Sequence, residues 1–294
     1  MLHTKKILGL AAAIAAATSA HAAEGVKPAA EALFHVGPLP VTNSMVTSWI
    51  VAAVLLVAIR LAVGTPKLVP GRGQALVEGL VEGIMDLVSP IVGAKAVKSA
   101  FPLLVCLFIF ILIQNWSGLV PGVGTVYMKD PEGRWMEAVR PGNADLNGTF
   151  ALAVVAFVGW LYLILRYAGP KMILFDLFGN KADRREIPAL IYYFLFVVFF
   201  AVGLIEVISI MFRPISLSFR LYGNVLGGEN LLHSMSEITR WGLPVPFYFL
   251  EVLIGFVQAF VFTLLVSVYI GLLCNHGDDH AEGDAHAAEE SGHH

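Results

Sequence analysis

The sequence predicts an all-α protein that crosses a membrane several times. Three observations support this class: 57% of the residues are hydrophobic, only 14% are charged, and the mean hydropathy is +0.75. Soluble domains carry about 25% charged residues, so this chain has too few charges to cover a water-facing surface. We expect about five membrane-embedded helices, one amphipathic surface helix, and a final pair of long helices that form a tilted hairpin.

Charge balance and cysteine usage argue against other classes. The net charge is −3, with 19 Lys and Arg against 22 Asp and Glu, which does not suit a nucleic-acid surface. Cys106 and Cys274 lie in or at the end of apolar runs, so no disulfide framework or paired-cysteine metal site is indicated. We expect no metal, no cofactor and no nucleic-acid partner.

The N-terminus has the pattern of an export signal. Two lysines precede a short apolar run at residues 7–18, and Ala-His-Ala at 20–22 offers a cleavage site. The run is shorter than the about 20 residues that a membrane span needs. We expect residues 1–22 to be a signal peptide, with an uncleaved first helix as the alternative, and residues 23–44 to be an external segment.

Residues 45–274 form the predicted membrane domain. The apolar runs at 45–63, 101–120 and 149–167 suit single spans, and two longer stretches cover 188–237 and 244–274. Each long stretch exceeds one perpendicular span, which favours strong tilt or a break.

Residues 72–88 have a different pattern, with acids every four residues on one face and leucines on another. This pattern predicts a helix that lies on the membrane or against a partner. The acids are Glu78, Glu82 and Asp86, and the apolar face has Leu76, Leu80, Ile84 and Leu87.

Basic residues orient the spans. The connector 64–100 and the one after the third span are basic and are expected in the cytoplasm, whereas the loop 121–147 fits the outside. The tail, 275–294, has five His and six acids and no Lys or Arg. We expect this tail to be cytoplasmic, solvated and disordered; weak metal binding by its histidines is the less favoured interpretation.

Ionisable residues inside the stretch 206–229 are the strongest functional candidates, because a charge at bilayer depth costs several kcal/mol. A polar stripe on an apolar helix must face protein or water, although its small residues would also suit close helix packing. Arg213 precedes Pro214, and we expect it to snorkel or to bind the carbonyls that proline frees. The stripe consists of Glu206, Ser209, Arg213, Ser216, Arg220, Asn224 and Gly227.

Arg220 has no acidic residue three or four positions away. Its counter-charge must therefore come from a more distant part of this chain or from another chain. Glu229 is nine residues further on, about 180° around the helix, which rules out a salt bridge within the helix. Glu251 and Gln258 are two turns apart on one face of the last run, and a packed hairpin would bring them near the first stripe.

Residues 213–224 read Arg-Pro-Ile-Ser-Leu-Ser-Phe-Arg-Leu-Tyr-Gly-Asn, with Gly-Glu at 228–229. This segment resembles the signature of subunit a of F-type ATP synthases. Three further segments resemble other helices of that family, and the resemblance covers about residues 45–274 in order and spacing. They are 101–121, with Asn115-Trp116-Ser117-Gly118 before its final Pro121, then 144–147, and the last run, where Glu251 precedes Gln258-Ala259-Phe260 by seven residues.

The resemblance implies a non-catalytic stator subunit that provides two offset proton half-channels and an arginine barrier facing a ring of c subunits. Arg220 matches the essential arginine. A guanidinium stays protonated and draws a carboxylate into its ionised form, so it suits a barrier. The other positions that match the proton path are Asn224, Glu229, Glu251 and Gln258, with Glu206 and Ser209 toward the cytoplasm and Asp145 and Asn147 at the external mouth.

Two positions depart from some members of that family. Glu251 stands where some have His, and two carboxylates at 229 and 251 would share a proton if they are close. Gly118 stands where some have Asp, which would reduce the contribution of that helix to the pathway.

The resemblance also implies partners and a location. The expected partners are the c ring, peripheral-stalk b subunits, the remaining ATP synthase subunits and lipid, in a bacterial inner membrane with the mature N-terminus outside. The main alternative is a secondary ion-coupled transporter, but no repeat relates the two halves of the sequence. An intramembrane hydrolase is disfavoured because Gly-x-Ser-x-Gly and His-Glu-x-x-His are absent. The choice between H⁺ and Na⁺ stays open.

Overall fold

The computed structural model describes residues 30–120, 123, 127–129, 135–167, 169, 189–238 and 244–291. The predicted signal peptide and most of the connector after the third span lie outside this part. The described part contains six α-helices: α1 (Asn43–Val63), α2 (Arg72–Val92), α3 (Ala94–Ser117), α4 (Leu146–Tyr167), α5 (Ala189–Ile238) and α6 (Pro244–Ser291).

Five of these helices are long and apolar enough to cross a membrane, which confirms an all-α, polytopic membrane fold. The spans are Asn43–Val63, Ala94–Ser117, Leu146–Tyr167, Val197–Ile238 and Pro244–Leu272. Helix α3 begins seven residues before the predicted start of its span, because its first turns carry lysines that mask the apolar pattern while Gly93, at φ 87°, separates it from α2.

The protein also contains two small antiparallel hairpins, which the sequence pattern does not predict. One pairs β1 (Ala32–Val36) with β2 (Leu39–Thr42), and Gly37 turns between them at φ 64°. The other pairs β3 (Tyr127–Lys129) with β4 (Trp135–Glu137). A 3₁₀ turn, Gly142–Ala144, then leads into α4.

Helices α3, α4, α5 and α6 form the bundle, and α3 contributes the largest share of its buried residues. Helix α1 is mostly uncovered, with 6% of its span buried. The centre of the bundle has fully buried apolar side chains from α3, α4, α5 and α6: Leu104, Ile111, Ala153, Leu221, Phe262 and Ile270.

Helix α2 is only partly a surface helix. Its C-terminal half packs into the core through Val88 and Val92, which are fully buried, whereas Leu76 near its start is 72% exposed. Gly271 makes this packing possible, since an added Cβ there would overlap the carbonyl oxygen of Ile91. The backbones of α2 and α6 are therefore in direct contact.

The last two helices are long. The span of α5 covers 42 residues, or about 63 Å at 1.5 Å per residue, which is about twice a hydrocarbon core of about 30 Å. Its tilt in the membrane stays a prediction. Helices α5 and α6 pack against each other as a hairpin. Helix α6 continues to Ser291; alanine and glutamate, which favour helix, are frequent in its last part. The predicted disorder and solvation of the tail stay predictions.

Candidate functional site

A buried group of polar side chains lies where α1 begins, α3 ends and α4 begins; we refer to it as the polar cluster. Each of its side chains is less than 10% exposed. Its members come from α1, the end of α3, and the segment before α4: Asn43, Ser44, Thr47, Gln114, Asn115, Arg140, Asn143 and Asp145.

Asp145 lies at the start of α4, and its carboxylate accepts three hydrogen bonds, one of them from Asn147 Nδ2 to Oδ1 at 3.4 Å. Ser44 Oγ donates to Asp145 Oδ2 at 3.0 Å, and the Asn147 backbone N–H donates to Oδ1 at 3.2 Å. The bond from the Asn147 backbone caps the N-terminus of α4, where a negative charge is favourable. Asn147 itself is exposed at the rim. Asp145 therefore both joins α1 to α4 and places a carboxylate inside the polar cluster.

The end of α3 connects the polar cluster to α6. Asn143 Nδ2 donates to Asn115 Oδ1 at 2.8 Å, and Asn115 Nδ2 donates to the carbonyl of Gly255 at 3.0 Å. Trp116 Nε1 donates to the carbonyl of Val252 at 3.1 Å. These bonds hold the part of α6 that carries Glu251 against the cluster.

Arg140 brings a positive charge to Glu229 of α5. Its Nη2 lies 3.9 Å from Glu229 Oε2, and its side chain is 3% exposed against 22% for Glu229. Its backbone N–H donates to Thr47 Oγ1 at 3.3 Å. The sequence predicted only that the loop 121–147, which includes Arg140, is external, and it did not predict this contact. The position of Arg140 five residues before Asp145 is the signal that could have revealed it.

Glu251 of α6 lies directly against α5. A Cβ added at Gly228 would overlap the carboxylate of Glu251, so this glycine leaves the room that the carboxylate occupies. Glu229 is the next residue of α5 after Gly228. The structure thus brings the two predicted carboxylates to one place between α5 and α6.

Asn224 and Gln258 form the next contact along the same interface. Asn224 Nδ2 donates to Gln258 Oε1 at 2.6 Å, and Gln258 is 5% exposed. Asn224 is one helical turn from Arg220. The polar contacts therefore extend from the cluster, past Glu229 and Glu251, to the helical turn next to Arg220.

Arg220, one turn before Asn224, lies on an outward, uncovered part of α5. It is exposed in the isolated chain beside Phe219, while Leu217 and Leu221 of the same helix are buried in the core. No carboxylate of the described residues lies within salt-bridge distance of its guanidinium. Glu206 and Ser209 are also exposed on α5. These three predicted residues thus face away from the polar cluster.

Arg213 lies beside two aromatic rings of other helices. Its guanidinium carbon lies 4.5 Å from the ring centre of Tyr269 and 6.0 Å from that of Trp160, and the side chain is half-buried. The sequence did not predict these contacts, and the snorkelling of Arg213 stays a prediction. Nearby, Ser218 and Thr149, both fully buried, share a hydrogen bond of 3.1 Å.

A bundle of apolar helices that contains the buried polar cluster and carries the outward-facing Arg220 is typical of one class, helical membrane proteins that transport ions. The family model described as ATP synthase A chain matches residues 45–271, and the chain belongs to this family. It is accordingly a bacterial membrane protein and a non-catalytic component of the ATP synthase complex, whose catalytic sites are in other subunits.

Curated relatives agree with this assignment. The chain is 30% identical over 239 residues to ATP synthase subunit a 2 of Bradyrhizobium sp., covering 81% of this chain and 92% of the relative. It is 32% identical to ATP synthase subunit a of Moorella thermoacetica, covering 81% and 93%. The subunit a of Gloeobacter violaceus is also 32% identical, covering 84% and 90%.

Proposed function

We propose that this chain is the stator and channel subunit of a rotary ATP synthase. It provides two proton half-channels that do not meet, with Arg220 as the barrier between them, facing a ring of c subunits. Ion flow through the offset channels then drives rotation and ATP synthesis. Its other neighbours are peripheral-stalk b subunits, the remaining subunits and lipid.

The outer half-channel follows the polar cluster. Asp145 and Asn147 lie at its mouth, Glu229 and Glu251 lie in its middle, and Asn224 with Gln258 ends it. Support comes from the polar contacts along this route, which include Arg140 with Glu229 and Asn224 with Gln258. Buried ionisable groups in a membrane are costly, so they are functional candidates. Arg140 keeps a compensating charge beside Glu229.

The inner half-channel runs along the outward face of α5. Glu206 is 14 residues before Arg220, or about 21 Å along the helix, and Ser209 is exposed between them. A charged residue on a face that would otherwise meet lipid needs water or protein beside it. We therefore place this path at the contact with the ring, opening to the cytoplasm, with the mature N-terminus outside and the tail inside.

The observation that carries the proposal is the environment of Arg220. Its guanidinium faces outward from a membrane helix, beside apolar side chains, without a carboxylate among the described residues. A permanent charge in that position needs a counter-ion from another protein. A ring carboxylate would be ionised when it meets Arg220 and would have to be protonated again before it faces lipid, so ion flow and rotation become one event.

Substitution of Arg220 by alanine in the reconstituted complex tests this proposal. Arg220→Ala is expected to lower proton-driven ATP synthesis at least about 100-fold, because no fixed charge then separates the two half-channels. Arg60→Ala is the matched control, since Arg60 is an exposed cation at the end of another membrane helix, α1. Normal synthesis by Arg220→Ala would refute the barrier.

A further inference from the structure

A second arginine of α5 lies inside the membrane domain without a carboxylate, and the proposed half-channels do not use it. Arg213 is half-buried, and no acidic group of the described residues lies within salt-bridge distance. Burying a charge is unfavourable unless its surroundings compensate for it. The position of Arg213 therefore needs a physical explanation of its own.

Two aromatic rings supply the compensation. Tyr269 of α6 lies 4.5 Å from the guanidinium carbon and Trp160 of α4 lies 6.0 Å from it. Both distances are within the range of cation–π attraction, which strengthens when the groups are removed from water. Trp160 Nε1 also donates to the backbone carbonyl of Tyr269 at 2.8 Å, so the Trp160 ring is tied to the turn of α6 that carries Tyr269.

The contact joins three helices at one point. Arg213 belongs to α5, and it lines a small cavity with residues of α4 and α6, beside Pro214. Proline frees a backbone carbonyl and weakens the helix locally, so a side-chain contact at this turn limits bending of α5. Arg220 is seven residues further on, two turns along the same helix.

We propose that Arg213, Trp160 and Tyr269 form a cation–π clamp. The clamp fixes the rotation of α5 about its own axis and its position along that axis, and thereby the position of Arg220. Arg213 is thus a positioning residue and touches no transported ion. The inference rests on the proposed function of Arg220. A second contact of α5 with α4, the hydrogen bond between Ser218 and Thr149, lies closer to Arg220 but carries no charge.

The test compares variants in the reconstituted complex by ATP synthesis and by a double-mutant cycle. Arg213→Met keeps a long side chain without the charge, and we expect it to lower synthesis about tenfold, since a small misplacement of a reacting group is costly. Arg213→Lys keeps a cation and should retain more synthesis than Arg213→Met. Tyr269→Phe keeps the ring and should stay within about twofold of the parent, whereas Tyr269→Leu should match Arg213→Met. The Arg213→Met/Tyr269→Leu pair should be no worse than either single variant.

Arg166→Met is the matched control, because Arg166 also lies over a tyrosine ring, Tyr167 at 5.9 Å, but on the exposed end of α4. It should leave synthesis unchanged.

Additive losses in the double variant, or equal activity of Arg213→Met and Arg213→Lys, would overturn the clamp. Failure of the clamp and failure of the barrier are distinguishable, because loss of synthesis in Arg220→Ala does not depend on residue 213. Normal synthesis in Arg213→Met beside inactive Arg220→Ala would reject the clamp alone.

Discussion

The polar cluster and the outward face of α5 carry similar residue types but differ in how their charges are compensated. In the cluster, Asp145 accepts three hydrogen bonds and Glu229 lies beside Arg140, all within one chain. On the outward face, Arg220 meets no carboxylate of the described residues. The fold itself therefore completes the first region, whereas the counter-charge of the second region is the one that we propose comes from the ring of c subunits.

This comparison separates function from folding. A change on the outward face should abolish activity with little effect on the stability of the chain, because no internal contact is lost. A change in the cluster should affect both, because the same bonds that line the proposed channel also hold α1, α3, α4 and α6 together.

The largest effect is expected for Arg220→Lys. Lysine keeps a positive charge but lacks the planar fork and loses its proton more readily in apolar surroundings, so ATP synthesis should fall at least about 100-fold. The free energy of unfolding of the purified subunit, measured by thermal denaturation, should stay within about 1 kcal/mol of the parent value, because Arg220 is exposed. Substantial destabilisation would mean that Arg220 is compensated inside the chain, and would break the comparison.

Gly228→Ala should have the next largest effect. The added methyl group would overlap the carboxylate of Glu251 and displace it from α5, so proton uptake through the complex should slow about tenfold. Gly83→Ala is the control, because this helical glycine of α2 has open space around it. Proton flux into vesicles that contain each variant measures the difference, and equal flux in both would show that Glu251 needs no fixed position.

Asn115→Ala should lower stability more than either change above. It removes the amide that links Asn143 to the Gly255 carbonyl and leaves buried polar groups without partners, at a cost of about 2 kcal/mol. Thermal unfolding in detergent measures this cost. Ser99→Ala serves for comparison, since Ser99 bonds Tyr167 in an exposed position and should cost less than about 1 kcal/mol. Equal costs would mean that the cluster adds nothing special to the fold.

The smallest effect is expected for Ser218→Ala. Its hydroxyl shares a bond with Thr149, which also bonds the carbonyl of Leu146, so only one neutral hydrogen bond is lost. The stability should fall by about 1 kcal/mol with synthesis nearly unchanged. A large loss of synthesis without loss of stability would instead place Ser218 in the ion path.

Local pattern was sufficient to predict much of this molecule. Apolar runs predicted the five spans, and the stripe on α5 singled out Arg220, because its spacing to other residues is set by helix geometry alone. Helical spacing also placed Glu229 away from Arg220. The roles of these residues stay predictions until the variants are measured.

Other features depend on contacts between distant segments. Ser44 bonds Asp145 across 101 positions, and Arg213 meets Tyr269 of another helix, so neither pair could be recognised from periodicity. Arg140 was missed for the same reason, since a loop charge gives no indication of the helix that it will reach. The two hairpins were missed because their strands have three to five residues each, too few for alternation to be evident.

The absence of a side chain at Gly271 has a mechanical consequence. Because the backbone of α6 rests directly on that of α2 at Ile91, there is no compressible layer of side chains between the two helices at that point. A displacement of α2 at this point would therefore displace α6 as well, and α6 is the helix that carries Glu251.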